Sequence, residues 1–306
     1  MNGVIAAVAT PIGADGRLHV ETFERLIDML IESGVDGVCL GGATSEYPSV
    51  GVDDRKIAID AAAARVPRDR TLLVAVGAPS FRQVIELGEA AHEAGCRAVL
   101  LPMPMFFRYE QHDLHAFSVA VTHSLRPPVV LYDLPEFTNA LEPATVIDLL
   151  QSEASIVGIK DSSGVSDHLA SYAAARDGRD WTLLVGHDGL LFDGLRAGWN
   201  GTISGIACFC PELPLAIYRN CARGAIDRAR DLQSLLDEVV VQLGTLPAPW
   251  GIRLALEARG FEMGPLPLPQ SDMRRQQVTR FREWLPGWTD KVESLITDHS
   301  SRITDP

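Results

Sequence analysis

Short apolar runs alternate with longer stretches of helical spacing along the first two-thirds of the chain. Residues 4–9, 35–40, 71–76, 96–101, 128–132, 156–160, 182–185 and 201–205 read as strands: brief, apolar and bounded by turn formers. Between them, 21–33, 53–64, 81–94, 111–124, 143–150, 166–176 and 189–197 read as helices. In the first of these, Phe23, Leu26, Ile27 and Leu30 share one face, and Gly34 follows its end. Gly95 plays the same part after the third. Asp53 and Asp54 fall in the first turn of the second, where carboxylates suit the helix dipole.

Strands that alternate with helices are parallel, because each crossover needs a dozen or more residues. The strands are continuous apolar runs, as expected when both sheet faces are covered. Eight such units favour a closed (β/α)8 TIM barrel over an open doubly wound sheet of about six strands. After the eighth strand the texture changes. Residues 211–223, 225–241, 251–259 and 273–285 read as helices, and 264–269 is proline-rich and extended. The tail from about Asp298 is polar and expected to fray. The expected organisation is a barrel catalytic domain over 1–224 and a helical C-terminal region over 225–306.

The 306 residues are 46% hydrophobic and 22% charged, enough to fill a core and too apolar for disorder. The net charge of −13 repels phosphate backbones, so nucleic acid is not an expected partner. It also repels small acids at long range, so an anionic substrate needs local donors inside a pocket. The five cysteines, Cys39, Cys96, Cys208, Cys210 and Cys221, have neither disulfide-framework nor zinc spacing. Cys39 and Cys96 read as core residues. Cys208-Phe209-Cys210 lacks a matching Cys or His pair, and no metal is expected. Met1-Asn2-Gly3-Val4 does not open a signal peptide, and no run of about 18 apolar residues could span a membrane. A reducing cytoplasm fits best.

In a parallel barrel the active site lies at the C-terminal ends of the strands. Lys160 ends the sixth strand, in Ile156-Val157-Gly158-Ile159-Lys160-Asp161. Burial there disfavours the charged ammonium, and a neutral amine can attack a ketone to form a Schiff base. Position alone equally allows a lysine that snorkels to the rim or pairs with Asp161. Tyr132 ends the fifth strand; its phenol could shuttle protons, although a packed tyrosine is the commoner reading of such a residue alone. Gly41-Gly42-Ala43-Thr44-Ser45-Glu46 follows the second strand. Its N–H groups and hydroxyls could hold a carboxylate, or it could be a plain turn.

Together and in this order, these elements resemble the dihydrodipicolinate synthase / N-acetylneuraminate lyase family of class I, metal-free aldolases. The resemblance covers nearly the whole chain. It takes in Ala9-Thr10-Pro11, Asp15-Gly16, the loop at 42–46 and Tyr132-Asp133-Leu134-Pro135. It continues through Gly158-Ile159-Lys160-Asp161, Gly186-His187-Asp188, Gly201-Thr202-Ile203-Ser204 and the region 247–260. By resemblance, Lys160 forms the Schiff base and Tyr132 shuttles protons. Thr44 and the backbone of Ser45 hold the keto-acid carboxylate. The Ile203 carbonyl faces the site, and Gly186 matches the glycine ending strand seven.

Three departures stand out. Ala43 occupies the position of a loop hydroxyl that, in relatives, bridges Tyr132 to a second tyrosine after strand four. Phe106 aligns with that second tyrosine. Both relay partners therefore lack a hydroxyl, leaving water, Tyr109 or substrate groups. Phe137 stands where the synthases carry a carboxylate-gripping arginine, and Glu136 beside it repels anions. Arg108 could grip another carboxylate, though a surface arginine is the more usual reading.

The expected activity is a Schiff-base lyase, aldolase or dehydratase acting on a small-molecule 2-keto acid. A 2-keto-3-deoxy sugar acid, with pyruvate as product or donor, comes first. Dihydrodipicolinate-type condensation is an alternative. Another is a hydratase-aldolase for an apolar aldehyde, suggested by Met103, Met105, Phe106, Phe107 and Phe137 unless these are core or subunit contacts. A barrel that binds a keto acid without turnover is the rival of another class. No P-loop or Gly-x-Gly-x-x-Gly precedes a helix, so no cofactor is expected. The resemblance implies a homo-oligomer, a tetramer or dimer.

Overall fold

The computed structural model describes residues 1–300, and it is a closed eight-stranded parallel barrel wrapped by helices. The first half runs β1 (Gly3–Ala7), α1 (Val20–Glu32), β2 (Gly37–Leu40), α2 (Val52–Ala63), β3 (Thr71–Ala75), α3 (Phe81–Glu93), β4 (Ala98–Pro102) and α4 (Gln111–Ser124). The second runs β5 (Val129–Asp133), α5 (Pro143–Ser152), β6 (Ile156–Asp161), α6 (Ser166–Arg176), β7 (Thr182–Val185), α7 (Leu191–Arg196), β8 (Gly201–Ser204) and α8 (Glu212–Ala222). Three C-terminal helices follow: α9 (Ile226–Leu243), α10 (Trp250–Ala258) and α11 (Asp272–Ser300). No helix among the described residues is long and apolar enough to cross a membrane.

Closure comes from β1 pairing with β8, with Gly3 opposite Gly201 and Ile5 opposite Ile203. Alternation along each strand then builds two apolar cores. Ile5, Ala7, Leu73, Leu100, Val130, Leu184 and Ile203 fill the barrel interior. Val4, Val38, Val74, Val99, Leu131, Ile159 and Val185 face outward under the helices. The predicted run of apolar residues thus serves both faces at once. Gly34 and Gly95 close α1 and α3 with φ of 82° and 73°, a region that a side chain would disfavour.

The outer core continues past residue 225 without a break. Leu232, Leu236 and Val239 of α9, with Trp250 and Leu254 of α10, belong to the same buried cluster as the barrel's outward residues. Two predicted elements differ. The segment 189–197 begins as a 3-10 turn at Asp188–Leu190 before becoming α7. The last helix, expected to stop at Leu285, runs through Pro286 to Ser300. Proline removes one backbone donor, but Pro286 lies on the exposed face, where solvent can serve the freed carbonyl. The buried face holds the helix together: Trp288 stacks on Trp284 at 5.9 Å and donates from Nε1 to the Leu235 carbonyl at 2.9 Å. The tail expected to fray from about Asp298 is still helical in its backbone to Ser300, and the rest of it lies outside the described residues.

Candidate active site

The pairing of β5 with β6 sets Tyr132 directly opposite Lys160. Both side chains point into the barrel, and their neighbours Asp133 and Asp161 point out. Lys160 is 4% exposed, and its Nζ stands 4.1 Å from the centroid of the Tyr132 ring. Among the described residues neither Nζ nor the Tyr132 hydroxyl has a protein hydrogen-bond partner. A lysine pairing with Asp161, the alternative raised by the sequence, is not what the fold makes. Asp161 accepts from the Ser163 N–H at 2.7 Å and lies 3.0 Å from His168 Nδ1.

These groups form the floor of a cavity of about 300 Å³, whose wall includes Ala43, Thr44, Gly186 and Ile203. Gly186 is there for space. A Cβ on it would fall 2.8 Å from Lys160 Cε and 2.1 Å from Ser162 Oγ, so only glycine lets the lysine lie along the wall. Thr44 comes from the turn after β2, closed by Ser45 N–H to the Gly42 carbonyl and Glu46 N–H to the Ala43 carbonyl. Its Oγ1 lies 3.3 Å from where a Gly205 Cβ would sit, and it makes no hydrogen bond among the described residues. Thr44 is thus a free donor at the rim. Ser45 is not: its N–H is used in the turn, and its hydroxyl donates to Val8 O at 2.5 Å while accepting from Gly41 N–H at 2.9 Å. The expected carboxylate donor at Ser45 is a strut beneath the loop.

Phe106 and Phe137 also sit apart from the Lys160 cavity. With Phe107 and Arg108 they surround a neighbouring crevice of about 160 Å³, joined to the first only through Glu136. Phe106 is 91% exposed and packs edge-on against Phe107 at 4.9 Å. Met103, expected as a pocket residue, is buried in the outer core. The loop after β4 turns outward, with Phe106 at φ 73°, which carries these rings away from the barrel axis.

Further polar lining comes from Glu136, read from the sequence only as repelling anions, from His187 and Asp188, read only as part of the family resemblance, and from Ser162, which sequence reasoning missed. All follow the ends of β5, β6 and β7, the positions where barrel sites are built, and that rule alone would have found them. Asp188 as a residue is half-buried, yet its Oδ1 is hidden and unpartnered. Burial pushes its carboxyl up, with hydrogen bonds from Ser204 and Ile206 pulling the other way. The cavity is roofed by Val240, Leu243, Leu246 and Ile252 from α9, α10 and their connection, which no local pattern reveals.

Asp133, Asp161 and His168 are the one group of three metal-capable side chains among the described residues, their ligand atoms within 4.8 Å of one another. Asp133 Oδ1 accepts from the Leu141 N–H at 3.0 Å, so the cluster is already tied into the backbone behind the site. Burial pushes the Asp133 carboxyl up to about 6, the Leu141 hydrogen bond opposing and Asp161 adding to it. Cys208 and Cys210 are buried thiols pushed up to about 12, inert in this setting.

Comparison with known proteins agrees with this geometry. The model of the Dihydrodipicolinate synthetase family matches residues 1–285. A 4-hydroxy-tetrahydrodipicolinate synthase of Dechloromonas aromatica is 30% identical over 284 residues, 90% of this chain and 96% of that one. Escherichia coli K12 YagE, provisionally named a 2-dehydro-3-deoxy-D-gluconate aldolase, is 31% identical over 240 residues, 78% of this chain and 80% of its own. The crystal structure of YagE in complex with pyruvate superposes with a TM-score of 0.87 at 29% identity, covering 94% of this chain and 99% of that one. The chain belongs to the dihydrodipicolinate synthetase family of class I, pyruvate-type aldolases, and is an enzyme of that lyase class acting on a keto acid.

Proposed function

We propose that this family member is a Schiff-base lyase for a 2-keto-3-deoxy sugar acid, with pyruvate as product or donor. The observation that carries the reading is the Lys160 amine, buried and 4.1 Å from the Tyr132 ring at the floor of a cavity with polar groups on its wall and an apolar roof. The lone pair of Lys160 Nζ adds to the keto carbon, and the carbonyl π pair moves to oxygen. Tyr132 passes one amine proton to that oxygen, giving the carbinolamine. A second proton on the hydroxyl releases water and leaves the iminium. In cleavage, loss of the proton from the C4 hydroxyl sends the C3–C4 bond pair into the iminium; the aldehyde leaves and an enamine remains. Protonation of the enamine at C3 and hydrolysis return pyruvate and the free amine.

The distribution of polar groups supports the substrate class. Thr44, with a free hydroxyl, suits the single carboxylate. Glu136, His187 and Asp188, which also line the cavity, suit neutral hydroxyls, which can donate to carboxylates. A second anionic group, as in dihydrodipicolinate-type condensation, would face Glu136 and Asp188. The apolar-aldehyde reading loses the residues that suggested it, since Met103, Phe106 and Phe137 do not line this cavity, and keeps only the apolar roof from α9 and α10. A Phe106 ring almost wholly in solvent supports assembly with a second copy of the chain.

The test is trapping. Incubation with pyruvate and borohydride should leave a stable adduct on Lys160, seen by mass, and Lys160→Ala should abolish it. No adduct with any 2-keto acid would sink the Schiff-base reading. Cleavage of keto-deoxy sugar acids in preference to apolar aldol substrates should follow; the reverse preference would overturn the substrate class.

A further inference from the structure

We infer that Tyr47 is the relay that returns protons to Tyr132, supplied within the same chain in place of the hydroxyl missing at Ala43. The inference rests on the Schiff-base reading above and adds to it the source of the protons. Tyr47 directly follows the carboxylate loop and opens the 3-10 turn Tyr47–Ser49. Glu46, in the left-handed region at φ 53°, swings the chain so that the next side chain turns inward. The result is a tyrosine only 4% exposed, although it stands in a loop.

The direction of the ring is fixed by what it crosses. A Cβ on Gly77 would lie 3.0 Å from Tyr47 Cε2 and 3.1 Å from its Cζ, so the phenol end lies across the strand exit of β3. The same point is 2.4 Å from Pro102 Cγ, so the hydroxyl-bearing end is next to β4. Pro102 is the register partner of Tyr132 on β5. The chain of neighbours Tyr47, Gly77, Pro102, Tyr132 therefore crosses the barrel rim toward the phenol that needs a donor. Gly77 matters here for its bareness: any side chain would displace the ring.

Arg55 of α2 holds this shelf in place. It is buried, donates to the carbonyls of Gly77 at 2.6 Å and Ala75 at 2.7 Å, and sets its guanidinium 5.6 Å from the Tyr47 ring centroid. Its positive charge favours a transient phenolate on Tyr47. Burial pushes the Tyr47 hydroxyl up to about 12; negative charge on Tyr132 would add to the shift and Arg55 opposes it. A cavity of about 20 Å³ lined by Thr10, Ser45, Tyr47 and Arg55 together with the apolar Phe23, Leu40, Ile59 and Val74 has room for about one water next to Tyr47. In the step itself, Tyr132 gives its proton to the substrate oxygen and becomes a phenolate. At the protonation that releases water from the carbinolamine, the Tyr47 hydroxyl passes a proton to Tyr132 through a bridging water, since the two phenols share no hydrogen bond among the described residues. Water gives one to Tyr47, and the hydroxide left balances the iminium charge. No electrons change hands.

Tyr47 acts through Tyr132, so its test must separate relaying from packing. Pyruvate alone suffices as probe: through the enamine, its methyl protons exchange with deuterated solvent, which NMR follows. Tyr47→Phe should slow this exchange about 10- to 100-fold and alter its pH profile, below the 10²–10⁴ of removing a transferring group itself. The borohydride-trapped adduct should still reach full occupancy, and adding Ala43→Thr to Tyr47→Phe should recover most of the rate. Unchanged exchange and pH profile in Tyr47→Phe, with the adduct formed, would overturn the relay and leave the Schiff base standing. A loss that tracks a fall in melting temperature and is not recovered by Ala43→Thr would also overturn it. No adduct in the unsubstituted chain would remove the premise itself.

Discussion

Arg253 of α10 reaches through the outer core to hold the Glu46 carboxylate at 2.7 Å, joining the C-terminal helices to the loop that carries Thr44. The arginine is 2% exposed and also donates to the carbonyls of Thr10 and Met263. A buried pair of this kind is costly to break because the remaining charge is left unpaired. Arg253→Ala should destabilise the fold by about 3–5 kcal/mol in denaturant titration. Arg253→Lys, with fewer donors, should cost less and chiefly raise the pyruvate concentration needed for half-maximal trapping. Equal stability of Arg253→Ala and the unsubstituted chain would show the pair to be idle.

Tyr132→Phe removes the phenol hydroxyl and leaves the ring beneath Lys160 Nζ in place. Turnover of a keto-deoxy acid should fall by roughly 10²–10⁴ with little change in melting temperature. Steady-state kinetics and a thermal melt check both halves.

Gly186→Ala puts a methyl group where Lys160 Cε passes. Overpacking of this size costs about 1–3 kcal/mol and should push the lysine off the wall. The expected outcome is a folded protein whose borohydride-trapped adduct forms much more slowly. An adduct rate like that of the unsubstituted chain would show the wall to be looser than drawn.

Asp133, 1% exposed, gives a pH-dependent prediction. Its carboxyl sits at about 6 in the fold against an ordinary value of 3.8. Between these values the folded chain keeps a proton that the unfolded chain has lost, so this group's contribution to stability falls as pH rises through that window. Above about pH 6 the cost is complete. Asp133→Asn should therefore stabilise the protein by about 1–2 kcal/mol at pH 7.5, and the gain should disappear below about pH 4. Melts at the two pH values decide it; a gain that grows on acidification would reverse the sign.

Asp188→Ala removes a carboxyl held by Ser204 and Ile206, together with its hidden, unpartnered Oδ1, from the cavity wall. If substrate entry uncovers that oxygen and a sugar hydroxyl donates to it, the variant should lose more against a keto-deoxy sugar acid, through KM, than it loses in pyruvate exchange. Equal losses would place Asp188 in support of Lys160 instead.

Much of this was legible along the chain. The eight apolar runs became eight strands because parallel barrel strands are buried on both faces, leaving a local signal. Lys160 and Tyr132 were visible because each interrupts or ends such a run. The length of α11 was not, because the contact that carries it past Pro286, Trp288 to the Leu235 carbonyl, spans 53 residues. Phe106 aligned with a site tyrosine but turns outward at positive φ, a backbone choice its own side chain does not advertise.

Local order thus determined the repeating strand–helix units and which side chains end each strand, since both follow from periodicity within a few residues. Closure of the ring decided everything that depends on distance between units. It set Tyr132 against Lys160, brought Asp188 and Glu136 into one cavity, and turned Tyr47 toward the β4–β5 rim. Pairing β1 with β8 fixes the tilt and radius of the barrel, and only then do residues far apart in sequence acquire positions relative to one another.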